Sequence, residues 1–404
     1  MPPHSTRRRY FAGLSRSTAF LALASFFADV STELLYPVLP VFLTETLKTS
    51  GGVVGLIDGA AQATQNIVQG FSGWLSDRLQ RRKPIALAGY VVAALAKPLI
   101  GVSTTWSGVL GARLLDRLGS GARSAPRDAL VAASVSEADR GKAFGLEGLG
   151  DNLGACVGPL LAVVLLNTLD IPIRRLFYVA AIPGLLSVCM IAFVKERRVS
   201  VAAKATLDVS IRRFPVQYWK YLLATALFGI GNSSNSFLIL QTRDVGVSLT
   251  GTIVIYAAFN LVAALISYPA GFLSDRFGRR NLLALSLAIY LLTYIGFGIT
   301  RHVVVIACCF VLYGMYQGIS RSVGKALAAD LVPVSVRASG LGWYTATTGL
   351  LGLIASIVAG QLWDRVGHPA VFFYGAAFAA AGVIALLGLV PAHTGPALTT
   401  GRGR

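Results

Sequence analysis

The sequence predicts an all-α membrane protein with twelve transmembrane helices in two pseudo-symmetric six-helix bundles. Three observations lead there. Of 404 residues, 54% are hydrophobic and 13% charged, against about 25% charged in a soluble domain, and mean hydropathy is +0.65. Apolar runs long enough to cross a bilayer, at about 20 residues each, recur along the whole chain. Matching segments return about 198 residues apart. This composition excludes a soluble enzyme, a secreted disulfide scaffold and a disordered chain, because it cannot supply a polar skin.

The runs of the first bundle (residues 1–194) fall at about 18–43, 53–75, 84–103, 106–124, 144–166 and 176–194. A polar linker follows at 195–220. The second bundle (221–404) has runs at about 221–241, 249–272, 282–300, 303–322, 339–361 and 370–391. None alternates polar and apolar residues as barrel strands do. The first run follows Arg7, Arg8 and Arg9 and is too long for a signal-peptide core. The four cysteines all lie in apolar runs and are expected to be inert core residues.

Charge sets the orientation. With the N-terminus inside, 27 of the 36 Lys and Arg lie on cytoplasmic segments and 6 on external loops. The positive-inside rule then places both termini in the cytoplasm, in the inner (plasma) membrane. It also accounts for the net charge of +18 without a nucleic-acid partner.

Ionisable groups inside spans are costly and are functional candidates by default. In the first span, Asp29 and Glu33 share one helical face, ahead of Pro37 and Pro40. Asp29 is about 16 Å deep at 1.5 Å per residue. Two close carboxylates in a low dielectric resist ionising together, which suits proton coupling; pairing with buried bases is the structural alternative. In the second span, Gln62, Gln65, Asn66 and Gln69 form a polar stripe, expected to face a wet cavity or to hydrogen-bond between helices. Asp58, near the outer end of that span, is expected to be solvated.

The third span carries Lys97, and the fourth carries Arg113 and Arg117 on one face. Lys97 and Arg113 are candidates for solute binding. Arg117 could contact solute or form a structural pair with Asp151, level with it on the fifth span, or with Asp116, which is expected to point elsewhere. In the second half, Asn232 and Asn235 stand where the first half has Asp29 and Glu33, and Tyr316 and Gln317 add neutral contacts. No clear mid-membrane carboxylate is found in that half, so proton handling is assigned to the first. Histidines lie only in tails or external loops. No Walker A sequence, metal-ligand spacing or triad pattern occurs, so neither cofactor nor metal is expected.

The duplication is specific. Gly73-Trp74-Leu75-Ser76-Asp77-Arg78 matches Gly271-Phe272-Leu273-Ser274-Asp275-Arg276, and Ala129-Leu130-Val131-Ala132 matches Ala326-Leu327-Ala328-Ala329. Parallel repeats of this kind are a transporter architecture, with the solute site between the halves near the midplane.

The segments GWLSDRLQRRKP (73–84) and GFLSDRFGRRNLL (271–283) resemble motif A of the major facilitator superfamily; Gln80 stands where that motif usually has Gly. Arg117 followed by Gly121 resembles motif B. Gly154-Ala155-Cys156-Val157-Gly158-Pro159 resembles motif C, the mark of the drug/proton antiporter branch, without its usual tail. Gly150, Gly154 and Gly158 also repeat every fourth residue, which alone suits close helix packing. The resemblance implies a conformational latch at Asp77, Arg78, Asp275 and Arg276. It also implies a monomeric transporter, not an enzyme, that exports a small molecule in exchange for protons. A proton symporter or facilitator for an anionic solute, or a non-transporting membrane sensor, are the alternatives.

Overall fold

A computed structural model describes residues 14–79, 81–135, 140–196, 214–333 and 337–391. The side chains of Asp77, Asp275 and Arg276, three of the four expected latch residues, lie outside the described ones, as does most of the 195–220 linker. Among the described residues the only regular structure is helical. The elements are α1 (Arg16–Glu33), α2 (Leu39–Val41), a π-helical turn (Phe42–Thr46), α3 (Gly51–Leu79), α4 (Arg82–Val102), α5 (Trp106–Ala133), α6 (Arg140–Asn167), α7 (Ile173–Val179) and α8 (Ala181–Ala192). After the linker come α9 (Val216–Gly231), α10 (Ser236–Asp244), α11 (Leu249–Phe277), α12 (Arg279–Ile299), α13 (Val303–Asp330), α14 (Arg337–Arg365) and α15 (His368–Leu389).

Nine helical stretches among the described residues are long and apolar enough to cross a membrane. Helices α1, α3 and α5 are not among them, for a chemical reason. These three carry the carboxylates, the glutamine stripe and the arginines singled out above. Outward-facing aliphatic side chains clothe the rest, Ile299 and Ile384 being 70% and 72% exposed. Cys189 and Cys308 are also exposed, so only Cys309 of that expected core set is fully buried.

Local chemistry sets the helix ends. Ser15 caps α1 by accepting from the Thr18 amide at 3.1 Å, completing a capping box. α1 ends at Glu33, and the chain continues irregularly past Pro37 to α2, since proline removes a ladder donor. Gly278 (φ 86°) joins α11 to α12, a turn that favours glycine. Its counterpart Gln80 lies outside the described residues. The chain also breaks at Asn232–Asn235, between α9 and α10.

In the first half of the chain, α4 packs on α5, α3 on α5, and α1 on α6 and α8. In the second, α11 packs on α13, α12 on α13 and α15, and α9 on α14 and α15. Glycines make the repeat visible in three dimensions. A Cβ on Gly121 would lie 2.6 Å from the Gln65 carbonyl, and one on Gly318 would lie 2.6 Å from the Ala263 carbonyl. The Gly150, Gly154 and Gly158 stripe presses on α1. Added Cβ atoms there would meet the Ala22 carbonyl at 2.5 Å, the Phe26 carbonyl at 2.6 Å and the Val30 carbonyl at 2.8 Å. Pro159 follows inside α6.

The halves meet where α3 packs on α14 and α6 on α11. Polar contacts gather at the end opposite the start of α1 and the end of α15. Asp364 accepts from the Gly51 and Gly52 amides at 2.8 and 2.7 Å, capping the start of α3 from the other half. Arg243 donates to Glu45 at 2.7 Å, and Asn167 bonds Thr250 at 2.9 Å.

The α1–α6 contact yields a stability prediction. Gly154→Val should cost about 1–3 kcal/mol by overpacking, because its Cβ would also sit 2.8 Å from that of Asp29. The melting temperature should fall; a variant that melts like the parent would mean α1 and α6 are not held at this distance.

Candidate functional site

A cavity of about 470 Å³ opens between the two halves. The first half contributes Asp58, Gln62, Gln65, Asn66 and Gln69 from α3, and Arg113 and Arg117 from α5. The second contributes Asn232 and Asn235 at the break after α9, Tyr316, Gln317, Arg321 and Lys325 from α13, and Tyr344 from α14. The polar stripe on α3 thus faces the cavity, with Gln62 donating to Asn66 at 3.2 Å.

One carboxylate organises the cations of the first half. Asp116, fully buried, accepts from Arg113 Nη1 at 3.0 Å and lies 3.7 Å from Lys97 Nζ. Arg117 Nη2 is 3.1 Å from it, close enough for ion pairing but without hydrogen-bond alignment. Arg117 Nη1 instead donates to Gln65 at 3.0 Å. Helix geometry explains the grouping: positions 113 and 116 are one turn apart and face each other on α5. Close glycine contact brings in α4, since a Cβ on Gly119 would fall 2.5 Å from the Ala93 amide.

Several expectations are corrected here. Asp116 does not point away; it is the hub. Asp151 does not pair with Arg117, for its nearest cation is Arg127, at 3.6 Å. Lys97 is 2% exposed and does not line the cavity, so it is a partner of Asp116 and not a solute contact. Arg113 does line the cavity, but its charge is already engaged. Asp58 is not freely solvated: it accepts from Ser234 at 2.9 Å and from Ser236, bridging α3 to the start of α10.

A second network lies alongside. Arg123 Nη2 is 3.7 Å from Asp29 and its guanidinium stacks 4.5 Å from the Tyr90 ring. Arg127 reaches Glu147 at 2.9 Å, Asp128 at 3.0 Å and the Ser25 hydroxyl at 2.9 Å. Glu33 accepts from Tyr256 of α11 at 3.2 Å, across the halves. Asp29 and Glu33 therefore have separate partners, and neither lines the cavity. Arg78 is exposed at the end of α3.

Sequence reasoning missed Arg123, Arg127 and Lys325 as site residues and gave Arg321 no role. Ending the fourth and tenth spans at 124 and 322 left Arg127 and Lys325 in loops and Arg123 and Arg321 at the very ends of their spans, yet α5 and α13 run on to Ala133 and Asp330. The available signal was spacing: 123/127 and 321/325 are both i, i+4 pairs continuous with the apolar pattern.

The profile described as Major Facilitator Superfamily matches residues 21–239 and 221–403. The chain belongs to that superfamily. It is 31% identical, over 91% of its length and 93% of the relative's, to an uncharacterized MFS-type transporter of Methanocaldococcus jannaschii. It is 26% identical to a probable 4-methylmuconolactone transporter of Cupriavidus pinatubonensis, over 81% of this chain and 79% of that one. The crystal structure of the nucleoside transporter NupG superposes with a TM-score of 0.75 at 14% identity, covering 92% of this chain and 98% of that one. The fold is thus the all-helical one of major facilitator proteins, and the chain is a membrane transporter of this type.

Asp116 should carry much of this transporter's stability. Removing one member of a buried charge cluster costs about 3–5 kcal/mol, so Asp116→Asn should lower the melting temperature sharply, and adding Lys97→Met should recover part of it. Arg117→Ala and Asp151→Asn, lacking a shared partner, should add to within about 0.5 kcal/mol. Strong coupling in that double-mutant cycle would reinstate the pair rejected here.

Proposed function

We propose that the chain is a monomeric, twelve-span transporter of the inner membrane that moves a small organic solute by alternating access, in exchange for protons. The observation that carries this reading is the cavity between the halves, closed off by cross-half contacts at one end and flanked by a buried carboxylate–arginine network. Loop charge supports placing the termini in the cytoplasm. With that orientation the contacts of Asp364, Arg243 and Asn167 form an external closure, and the cavity belongs to an inward-facing state.

Asp29 supports proton coupling because, among the described residues, one cation lies within ion-pair distance of it, Arg123 at 3.7 Å, a loose pair that a proton can replace. Glu33 joins the same task through Tyr256, a contact that spans both halves and is remade when they move. Export is supported by the motif C resemblance at Gly154–Pro159. Uptake of an anionic solute together with protons is a second reading, favoured by the basic side chains Arg113, Arg117, Arg321 and Lys325 on the cavity wall.

The latch assigned to Asp77, Arg78, Asp275 and Arg276 closes the cytoplasmic side in the opposite state. Asp77→Asn should then shift the population toward the inward-facing state, since a lost contact biases only the state that makes it. Spin labels across the cytoplasmic mouth report the shift; unchanged distance distributions would remove the latch.

Coupling is tested by flux in vesicles holding the purified protein under an imposed pH gradient. Asp29→Asn and Glu33→Gln should each abolish pH-driven flux while preserving the melting profile. Undiminished pH-driven flux in the double variant would overturn the assignment.

A further inference from the structure

The basic side chains on the cavity wall are not equivalent. Arg113 and Arg117 share Asp116, and Arg117 also donates to Gln65. On α13, Arg321 and Lys325 stand one turn apart on the cavity wall. Among the described residues neither has a carboxylate within ion-pair distance. Asp128 and Glu33 act on them only from further away, and both are engaged elsewhere, Asp128 by Arg127 at 3.0 Å and Glu33 by Tyr256.

Aromatic surface adjoins this uncompensated pair. The rings of Tyr221 and Tyr344 stack with centroids 5.9 Å apart and 7° between planes. They are seated on α13 itself at Gly324, three residues after Arg321 and next to Lys325. Tyr221 donates to the Gly324 carbonyl at 2.9 Å, and a Cβ on Gly324 would lie 2.6 Å from the Tyr344 hydroxyl. Tyr316 and Phe228 continue the wall from there. The cavity falls within the range of about 300–1,000 Å³ typical of small-ligand pockets.

We propose that Arg321 and Lys325 form the anion subsite of the cavity, and that the solute is an aromatic acid. Its carboxylate lies against the α13 cations and its ring lies along the tyrosine wall. A guanidinium fork matches a carboxylate in two bonds, while an ammonium acts as a point charge. Arg321 is therefore the main anchor and Lys325 the auxiliary one. Tyrosine faces offer a flat body large contact area with a polar rim. The proposal rests on reading this cavity as the solute site, but not on the direction of transport.

Equilibrium binding to the purified full chain tests it, with 2-naphthoate, its uncharged analogue 2-naphthamide and inorganic phosphate as probes. The acid should bind at least about tenfold tighter than the amide, a difference of about 1.4 kcal/mol, and phosphate should not displace it at equal concentration. Arg321→Gln should weaken the acid at least tenfold and leave the amide unchanged. Lys325→Gln should act in the same sense but less, and Arg321→Lys should fall between parent and Gln. Should Arg321→Gln melt early, the acid–amide comparison on the parent and the Arg321→Lys variant decide.

Equal affinity for acid and amide, no binding of the acid, displacement by phosphate, or parent-like acid binding in Arg321→Gln would each overturn the subsite. Flux separates this from the transport reading. Acid binding as stated with no pH-driven flux sustains the subsite and removes proton-coupled transport. Flux of a neutral or cationic solute with no acid binding does the reverse.

Discussion

Burying positive charge in a low-dielectric helix bundle is the constraint on which this structure turns. An isolated buried ion is far too costly to keep, and α5 alone carries Arg113, Arg117, Arg123 and Arg127. Asp116 answers for the first two and for Lys97 of α4. The answer works only because α4 and α5 touch backbone to backbone at Gly89 and Gly119; with side chains there, Lys97 would stand too far off. Further along α5, Arg123 meets Asp29 of α1 and Arg127 meets Glu147 of α6. Neutralising one helix thereby dictates the positions of three others.

The same constraint separates the roles of the halves. Their scaffold is repeated down to the glycine contacts, with Gly121 on α5 matched by Gly318 on α13. The chemistry on it is not repeated. The first half keeps its cations locked to carboxylates inside the protein. The second half presents Arg321 and Lys325 to the cavity with no such partner among the described residues, beside a wall of tyrosines. A similar divergence occurs where the halves close. Asp364 caps α3 with a carboxylate, and Asn167, its repeat counterpart on α6, meets Thr250 with a neutral amide. The two repeat-related contacts of that closure thus differ in charge.

Much of this was legible in the chain itself. Apolar runs, loop charge and the paired SDR segments predicted a helical membrane fold with repeated halves, because burial in lipid imposes length and composition on each span with little help from tertiary contacts. The stripe Gln62, Gln65, Asn66 and Gln69 was recognisable for the same reason: helical periodicity alone puts it on one face, and that face lines the cavity. The Gly150, Gly154 and Gly158 stripe announced a close contact, although not that α1 would be its partner.

Partner choice among charges was decided only in three dimensions. Arg117 had two plausible carboxylates at similar depth, and depth along a helix says nothing about rotation around it or about which helices adjoin. Rotation turned Asp116 inward to serve three cations and left Asp151 to Arg127. Helix ends were equally undetermined, because polar residues that would end a lipid-exposed span can continue one that lines a cavity. That is why α5 and α13 run on beyond residues 124 and 322, to Ala133 and Asp330, and keep Arg123, Arg127, Arg321 and Lys325 on continuous helices. Sequence determined how many polar groups had to be hidden from lipid; packing of the helices decided which of them neutralise each other and which remain facing the cavity.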